Sequence, residues 1–347
     1  MARDYFCIDI GESYIKVADI HKNGAFFEAD SLGMVETDPL IFHADTESTI
    51  QNQAQIIAKL VSQLNINKKS VNVIIPDTYS YSRFVQMPKL NEKELLSAIK
   101  YQADQFIPMA IEETNIDIEI IREDAAAKQL YALIAAAPKK LVSKIERLIT
   151  SAGLIPASIE TEISAVGRLS SSIFKATKPD PAAPSKPGVL IVNMSLNSTS
   201  LYFFDQTTGF ITFNHNFNIG LNLFLKELQV NLNLEYEKAL KLLGEVGISA
   251  SASYNLEPIL APVMKDFMVE IQHTLSVLND KSQASLKGIY FFNDALKFHE
   301  IHTLIGKYLG ITPYFLDLYP FFTQNPTAGY FKDKMGYFVS SIGGNLK

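Results

Sequence analysis

A proline-rich stretch, Lys178-Pro179-Asp180-Pro181-Ala182-Ala183-Pro184-Ser185-Lys186-Pro187-Gly188, divides the 347-residue chain nearly in half. Proline lacks the N–H that a helix or a central strand uses, so residues 178–188 read as an extended, exposed linker. The two halves open alike. The first begins Tyr5-Phe6-Cys7-Ile8-Asp9-Ile10-Gly11-Glu12-Ser13-Tyr14-Ile15-Lys16, the second Val189-Leu190-Ile191-Val192-Asn193-Met194-Ser195-Leu196-Asn197-Ser198-Thr199-Ser200. Each is an apolar strand, a small polar turn and a second β-rich run, with an Asx residue (Asp9, Asn193) near the end of the first strand. Such turns gather backbone N–H groups into a concavity that can hold a phosphate. A duplicated phosphate clamp is one reading; two unrelated hairpins is the other.

Apolar residues make up 47% of the chain and charged ones 20%, enough apolar surface to offset chain entropy and exclude disorder over the whole length. The 31 basic and 37 acidic side chains, with no long basic run, argue against nucleic acid as a partner. Cys7 is the single cysteine, so no internal disulfide or thiolate metal cage can form, and its apolar surroundings predict a small core side chain. The N-terminus runs straight into a strand, no stretch reaches the length of a membrane span, and Gly343-Gly344-Asn345-Leu346-Lys347 is too polar for an anchor. A cytoplasmic location is expected.

The first half carries extra material. Residues 80–87 read as a strand, and Asn91 caps a helix with Leu95, Ile99, Ala103 and Phe106 at helical spacing before Pro108 stops it. Strands follow at 115–122 and 130–137, then a helix between Pro138 and Gly153 and a short strand at 157–160. Together they make an α/β unit of about 80 residues. In the second half, 221–228, 234–243 and 262–278 read as amphipathic helices, the last striped by Val263, Phe267, Ile271, Leu275 and Leu278. A strand at 288–292, a helix at 296–309 and an edge strand at 311–316 close the chain.

The segment Ile8-Asp9-Ile10-Gly11-Glu12-Ser13-Tyr14-Ile15-Lys16 resembles the first phosphate loop of actin-like ATPases. The inserted unit resembles that of the PilM family of type IV pilus assembly proteins. The resemblance is carried by Arg83-Phe84-Val85-Gln86-Met87-Pro88, Tyr101-Gln102-Ala103-Asp104-Gln105-Phe106-Ile107-Pro108, Ala152-Gly153-Leu154-Ile155-Pro156 and Glu160-Thr161-Glu162-Ile163-Ser164-Ala165. It implies an α/β, actin-like (ribonuclease-H-like duplicated) two-lobed fold. Residues 1–78 with 162–177 would form subdomain 1A, 79–161 an inserted α/β subdomain 1C, 189–220 with 288–347 subdomain 2A, and 221–287 a helical subdomain 2B.

The same resemblance implies a role and a partner. A PilM-like protein is a cytoplasmic adaptor of a type IV pilus or related secretion machine. It takes up the N-terminal cytoplasmic tail of the inner-membrane protein PilN in a groove between the first lobe and its insert. Phe84, Ile99 and Phe106 are the candidate groove residues here. Pilus platform and motor components would be further partners, the membrane would be reached only through partners, and a homo-oligomer is left open. An FtsA-like division protein and a kinase of the actin and sugar-kinase superfamily are the alternatives.

An ATP–Mg²⁺ site is also implied. Asp9, Gly11, Glu12, Ser13, Tyr14 and Lys16 match its first turn, with Lys16 as a point charge on phosphate oxygens. Asn193, Ser195, Asn197, Ser198 and Thr199 occupy the second turn, Asn193 standing where the family has an acid and Ser195 where it has glycine. Gly220 is a single glycine where two are usual, and Asn293 and Asp294 replace the adenosine glycines. Glu237 and Lys241, one helical turn apart, read either as ribose contacts or as a solvated i,i+4 pair. Asp294 would aim a carboxylate at polyphosphate, a repulsion of about 3 kcal/mol at ~6 Å and an effective dielectric near ~20. These departures predict weak or lost ATP binding, at most weak ATPase activity and no catalytic residue.

No metal site is expected. His299-Glu300-Ile301-His302 lacks a third ligand and reads as a solvated helix end. The acid pairs Glu112-Glu113 and Glu160…Glu162 read as surface groups. The aromatic segment with Tyr314, Phe315, Tyr319, Phe321 and Phe322 reads as core or lobe packing, with a docking patch as the alternative.

Overall fold

A computed structural model describes residues 4–89, 107–124, 128–174, 186–248, 255–282 and 284–347. The helix expected from Asn91, with Ile99 and Phe106, and most of the 178–188 linker lie outside the described residues. The chain divides into two compact units. The first is Met1–Lys22, Ala29–Arg168 and Ser340–Lys347; the second is Asn23–Glu28 and Leu169–Val339.

The first unit is built on β1 (Tyr5–Ile10), β2 (Tyr14–Asn23), β3 (Phe26–Glu36), β4 (Ser70–Ile75) and β8 (Ile155–Thr161), in the order β3-β2-β1-β4-β8. The first three strands form an antiparallel meander, while β1, β4 and β8 run parallel. Parallel strands are covered on both faces, which is why β1 and β4 are apolar runs rather than alternating ones. On one face Ile8 and Val73 pack with Ile50 and Ile57 of α1 (Glu47–Gln63) and with Ile145 and Leu148 of α2 (Lys139–Ser151). The other face carries Cys7 and Ile74 against Ala165 of α3 (Glu162–Ile173). Cys7 is fully buried, and that burial pushes its thiol well above its ordinary pKa, as expected of a core side chain.

Helix boundaries follow local chemistry. The Thr46 side chain accepts from the Thr49 N–H to start α1. Gly153, at φ +77°, ends the turn after α2.

A separate three-stranded sheet, β5-β7-β6, is formed by β5 (Tyr81–Pro88), β6 (Thr114–Asp124) and β7 (Gln129–Pro138). The expected insert was larger. Instead α2 packs in the core of the first main sheet, and β8 pairs with β4 from Ser70↔Ile155 to Ile75↔Thr161. The chain end also differs from expectation. Ser340–Lys347 belongs to the first unit: the Tyr5 hydroxyl donates to Lys347 O, and Asn345 accepts from Ile20 N and donates to Ala18 O.

The second unit repeats the strand plan with β9 (Lys186–Met194), β10 (Thr199–Asp205), β11 (Phe210–Phe217), β12 (Ala284–Asn293) and β13 (Pro313–Phe315), ordered β11-β10-β9-β12-β13. Meander, then two parallel neighbours: the order is that of the first sheet, so the halves are a structural duplication. Helices α4 (Leu221–Leu232), α5 (Tyr236–Glu245) and α6 (Glu257–Ser282) lie between β11 and β12 in sequence. Their apolar faces, including Phe224, Leu243 and Phe267, share a core with Leu190, Val192 and Leu201 of the sheet.

Helix α6 starts earlier than Pro262, where the sequence placed it, because Asn255 Oδ1 caps the Glu257 N–H and Leu260 is buried. The expected helix 296–309 is shortened to α7 (Ile301–Leu309), since Glu300 takes a left-handed φ of +59°. Two short helices, α8 (Pro326–Tyr330) and α9 (Val339–Gly344), complete the chain. In the aromatic segment Phe322 packs on Phe27 with ring centroids 5.5 Å apart, whereas Tyr314 stays half exposed.

Candidate functional site

In the first unit three acids sit at the carboxyl ends of neighbouring parallel strands. Asp9 is next to the last residue of β1, Asp77 follows β4, and Glu162 follows β8. Open α/β sheets place their sites at this edge. The hairpin register sets Asp9 directly across from Lys16, and Lys16 Nζ lies 2.9 Å from Asp9 Oδ2 with both side chains buried. Gly11 makes room for this: a Cβ there would stand 2.7 Å from Lys16 Nζ and 2.8 Å from Tyr14 O. Gly11 N donates to Tyr14 O, and the Thr37 hydroxyl and N–H close the turn onto Gly11 O and Ser13 O.

Lys16 was expected to face phosphate oxygens. In the structure, which holds no nucleotide, its ammonium lies in a buried ion pair with Asp9. Burial raises the Asp9 carboxyl above its ordinary pKa, and the charge of Lys16 opposes that rise. Glu12 is turned to the Tyr79 hydroxyl, which donates to it at 3.1 Å. Burial, reinforced by the Glu12 charge, pushes the Tyr79 hydroxyl upward.

Glu162 corrects the sequence reading, which placed it on the surface. It is 2% exposed, accepts the Asp77 N–H at 3.0 Å and the Ser340 hydroxyl at 3.4 Å. Burial raises its pKa to about 8, with the charges of Asp77 and Asp9 adding to the rise and Lys16 opposing it. Asp77, Tyr79 and Glu162 were not among the site residues read from the sequence. The available signal was an acid immediately after a buried apolar strand, legible only once β4 and β8 are known to be parallel neighbours. Glu160, by contrast, pairs with Arg168 at 2.7 Å, and Glu112 and Glu113 are exposed as expected.

In the second unit Asn193, Ser195 and Asn293 form one buried network. Asn293 Nδ2 donates to Asn193 Oδ1 at 3.0 Å and to Ser195 Oγ at 3.2 Å. Asn293 holds φ +67° and ψ −131°, so the turn keeps a glycine-like backbone without glycine. Asp294 is buried, and its Oδ1 lies 2.8 Å from Lys297 Nζ. The repulsion expected of this carboxylate is therefore compensated inside the same turn.

The α4 N-terminus is engaged too. Leu221 N donates to Ser195 O and Asn222 N to Leu196 O, using helix-end donors that an anion could otherwise take. A Cβ on Gly220 would come within 2.6 Å of Ser195 O, Leu196 O and Ser198 N, so glycine permits that close seating. Asn222 Nδ2 donates to Asn197 Oδ1, and the Thr199 hydroxyl to Ile219 O. Glu237 and Lys241 lie exposed on α5, where Lys241 approaches Glu245 at 3.9 Å. Phe84, the described member of the expected groove, is half-buried on β5 opposite Leu133.

A family model described as "Type IV pilus assembly protein PilM" matches residues 7–331, nearly the whole chain. The chain belongs to the PilM family. A chain of the "PilM-PilN type IV pilus biogenesis complex" is 17% identical, with all of this chain and 98% of that one covered, at a TM-score of 0.82. The ethanolamine utilization protein EutJ from Carboxydothermus hydrogenoformans is 10% identical over 98% of this chain and 88% of that one, at a TM-score of 0.51. The fold is thus the duplicated α/β fold of the actin-like ATPases, as the PilM resemblance implied, and the chain is a type IV pilus assembly protein of that fold. Among the described residues no helix is long and apolar enough to cross a membrane.

Proposed function

We propose that this protein is a cytoplasmic adaptor of a type IV pilus or related secretion machine. It binds the N-terminal tail of a PilN-like inner-membrane protein and has lost useful ATP turnover. The observation that carries the partner is the end-to-end likeness to a chain of the PilM–PilN complex, within an established PilM membership. The tail would lie along the β5-β7-β6 sheet, with Phe84 contributing from β5 and Ile99 and Phe106 from the segment that follows. The membrane would be reached through that partner, and platform and motor components would meet the same assembly.

The loss of ATP turnover is supported by what the phosphate-turn groups already bond. Lys16 is engaged by Asp9, Asn293 by Asn193 and Ser195, and the first α4 donors by the turn below them. An incoming triphosphate would have to replace each of these contacts, and Asn193 offers no charge for Mg²⁺. The residues present do not fit ATP–Mg²⁺ well.

Fluorescence anisotropy with a labelled peptide of the PilN-like tail from the same organism tests the partner. Saturable binding weakened by Phe84→Asp is expected; no binding up to about 100 µM overturns it. Calorimetry with Mg-ATP tests the second part, and a low-micromolar constant would remove it.

A further inference from the structure

Strand β11 and helix α6 of the second unit bring together three side chains that are far apart in sequence. His215 lies on β11, while Glu270 and His273 lie on α6. The run Glu270-Ile271-Gln272-His273 puts the acid and the imidazole three residues apart, on one helix face. Carboxylate metal proteins use that same spacing to aim a Glu and a His from one helix. His215 Nε2 stands 2.9 Å from Glu270 Oε2, and the His273 ring lies 6.2 Å from the His215 ring at 67°. One ligand atom from each of the three residues falls within 4.8 Å of the other two.

We propose that His215, Glu270 and His273 bind one divalent transition-metal ion of the zinc class. Two imidazoles and a carboxylate form a donor set for a borderline ion rather than for Mg²⁺ or Ca²⁺, which take oxygen ligands. Ligand atoms bound at about 2.0–2.1 Å in a tetrahedral site are about 3.3 Å apart. The His215–Glu270 pair therefore has to open by only a few tenths of an ångström. His273 has to close by roughly 1.5 Å at most, which its exposed side chain makes by modest changes in its side-chain torsions.

The surroundings suit such an ion. The His215 ring packs on Phe217 at 5.8 Å and 29°, which fixes the plane of the imidazole. Phe217 in turn meets Phe267 of α6 edge-on at 5.4 Å, so the helix and the strand are already in register beside the site. Three protein ligands leave a fourth position for water or for a group brought by a partner. Because β11 is the outermost strand of its sheet, the ion would pin that edge to the long helix α6. Among the described residues His299 and His302 make no such set: the His302 ring packs at 4.4 Å on Phe315, and burial lowers its pKa.

The test uses the untagged full chain, freed of metal by dialysis against chelator. Zinc is titrated by calorimetry, and cobalt(II) absorption reports the coordination. The expected result is one ion per chain with a low-micromolar or tighter constant, together with visible cobalt bands of a low-coordinate site. His273→Ala, an exposed position that leaves the fold alone, and Glu270→Gln should each weaken binding by about a hundredfold or more. The pair His299→Ala and His302→Ala should leave it unchanged. No saturable binding below about 100 µM overturns the assignment. So does binding that survives His273→Ala, or that is lost in the His299/His302 pair.

Discussion

Across the β1–β2 hairpin the Lys16 ammonium lies 2.9 Å from the Asp9 carboxylate, and both side chains are almost wholly withdrawn from water. Taking either partner away would leave the other charge buried without that contact. The pair is thus a structural unit of the first sheet before it is anything else.

Removing one partner of a buried pair leaves the other charge desolvated and alone, at a cost of about 3–5 kcal/mol. Lys16→Met should therefore lower the unfolding free energy by that amount in urea titrations at neutral pH. The double variant Asp9→Asn with Lys16→Met removes both charges and should lose clearly less than the sum of the two single variants. A single-variant loss below about 1 kcal/mol would show that the pair is not closed in solution.

Glu162 gives the first unit a pH dependence of known sign. Its folded pKa of about 8 stands above the ordinary glutamate value of about 4.5, raised by burial and by the Asp77 and Asp9 charges against the opposing Lys16. Folded protein thus holds a proton that unfolded chain has lost, and stability falls as pH rises from about 4.5 to about 8, then levels off. The full effect is on the order of 5 kcal/mol. Glu162→Gln keeps an acceptor for the Asp77 N–H and stays neutral. It should match the parent near pH 4.5 and exceed it in stability at pH 8, read from denaturant midpoints across that range.

The duplication was legible in the sequence because each half begins with the same strand-turn-strand pattern, with Asp9 and Asn193 in matching places. Parallel pairing was not. Nothing local in residues 155–161 says that the strand adds to β4 in the main sheet rather than to the insert, and Glu162 was missed for that reason. The two strand-turn-strand segments could be placed along the chain, but the partners of their polar side chains were hidden. The Asp294–Lys297 ion pair and the Asn193–Asn293 bond depend on backbone turns that single-sequence patterns do not fix. His215 lies more than fifty residues from Glu270, so its contact with α6 could come only from tertiary packing.

Gly220 seats α4 on the β9–β10 turn. A methyl group there would meet three backbone atoms at 2.6 Å, none of which can swing aside like a side chain. Gly220→Ala should destabilise by about 2–3 kcal/mol through overpacking. Gly329 in α8 is the matched control, with nothing within 4 Å of its would-be Cβ. Gly329→Ala should be neutral or stabilise slightly, by about 0.5 kcal/mol, since alanine favours the helix. Chemical denaturation of the two variants side by side separates steric seating from a general glycine effect.

Asn293 combines two opposing contributions that substitutions can separate. Its φ of +67° at ψ −131° is a conformation that costs a non-glycine residue about 1–3 kcal/mol. Its side chain offsets that by donating to both Asn193 and Ser195 in a buried setting. Asn293→Ala keeps the strain and loses both bonds, so it should destabilise by about 2–3 kcal/mol. Asn293→Gly loses the bonds but relieves the backbone, and should be the better of the two by about 1–2 kcal/mol. Adding Asn193→Ala to Asn293→Gly removes the acceptor left unpaired, so the double variant should be less destabilised than the two single losses added together. Equal stability of the alanine and glycine variants would mean that the turn relaxes to ordinary backbone once its side-chain bonds are cut.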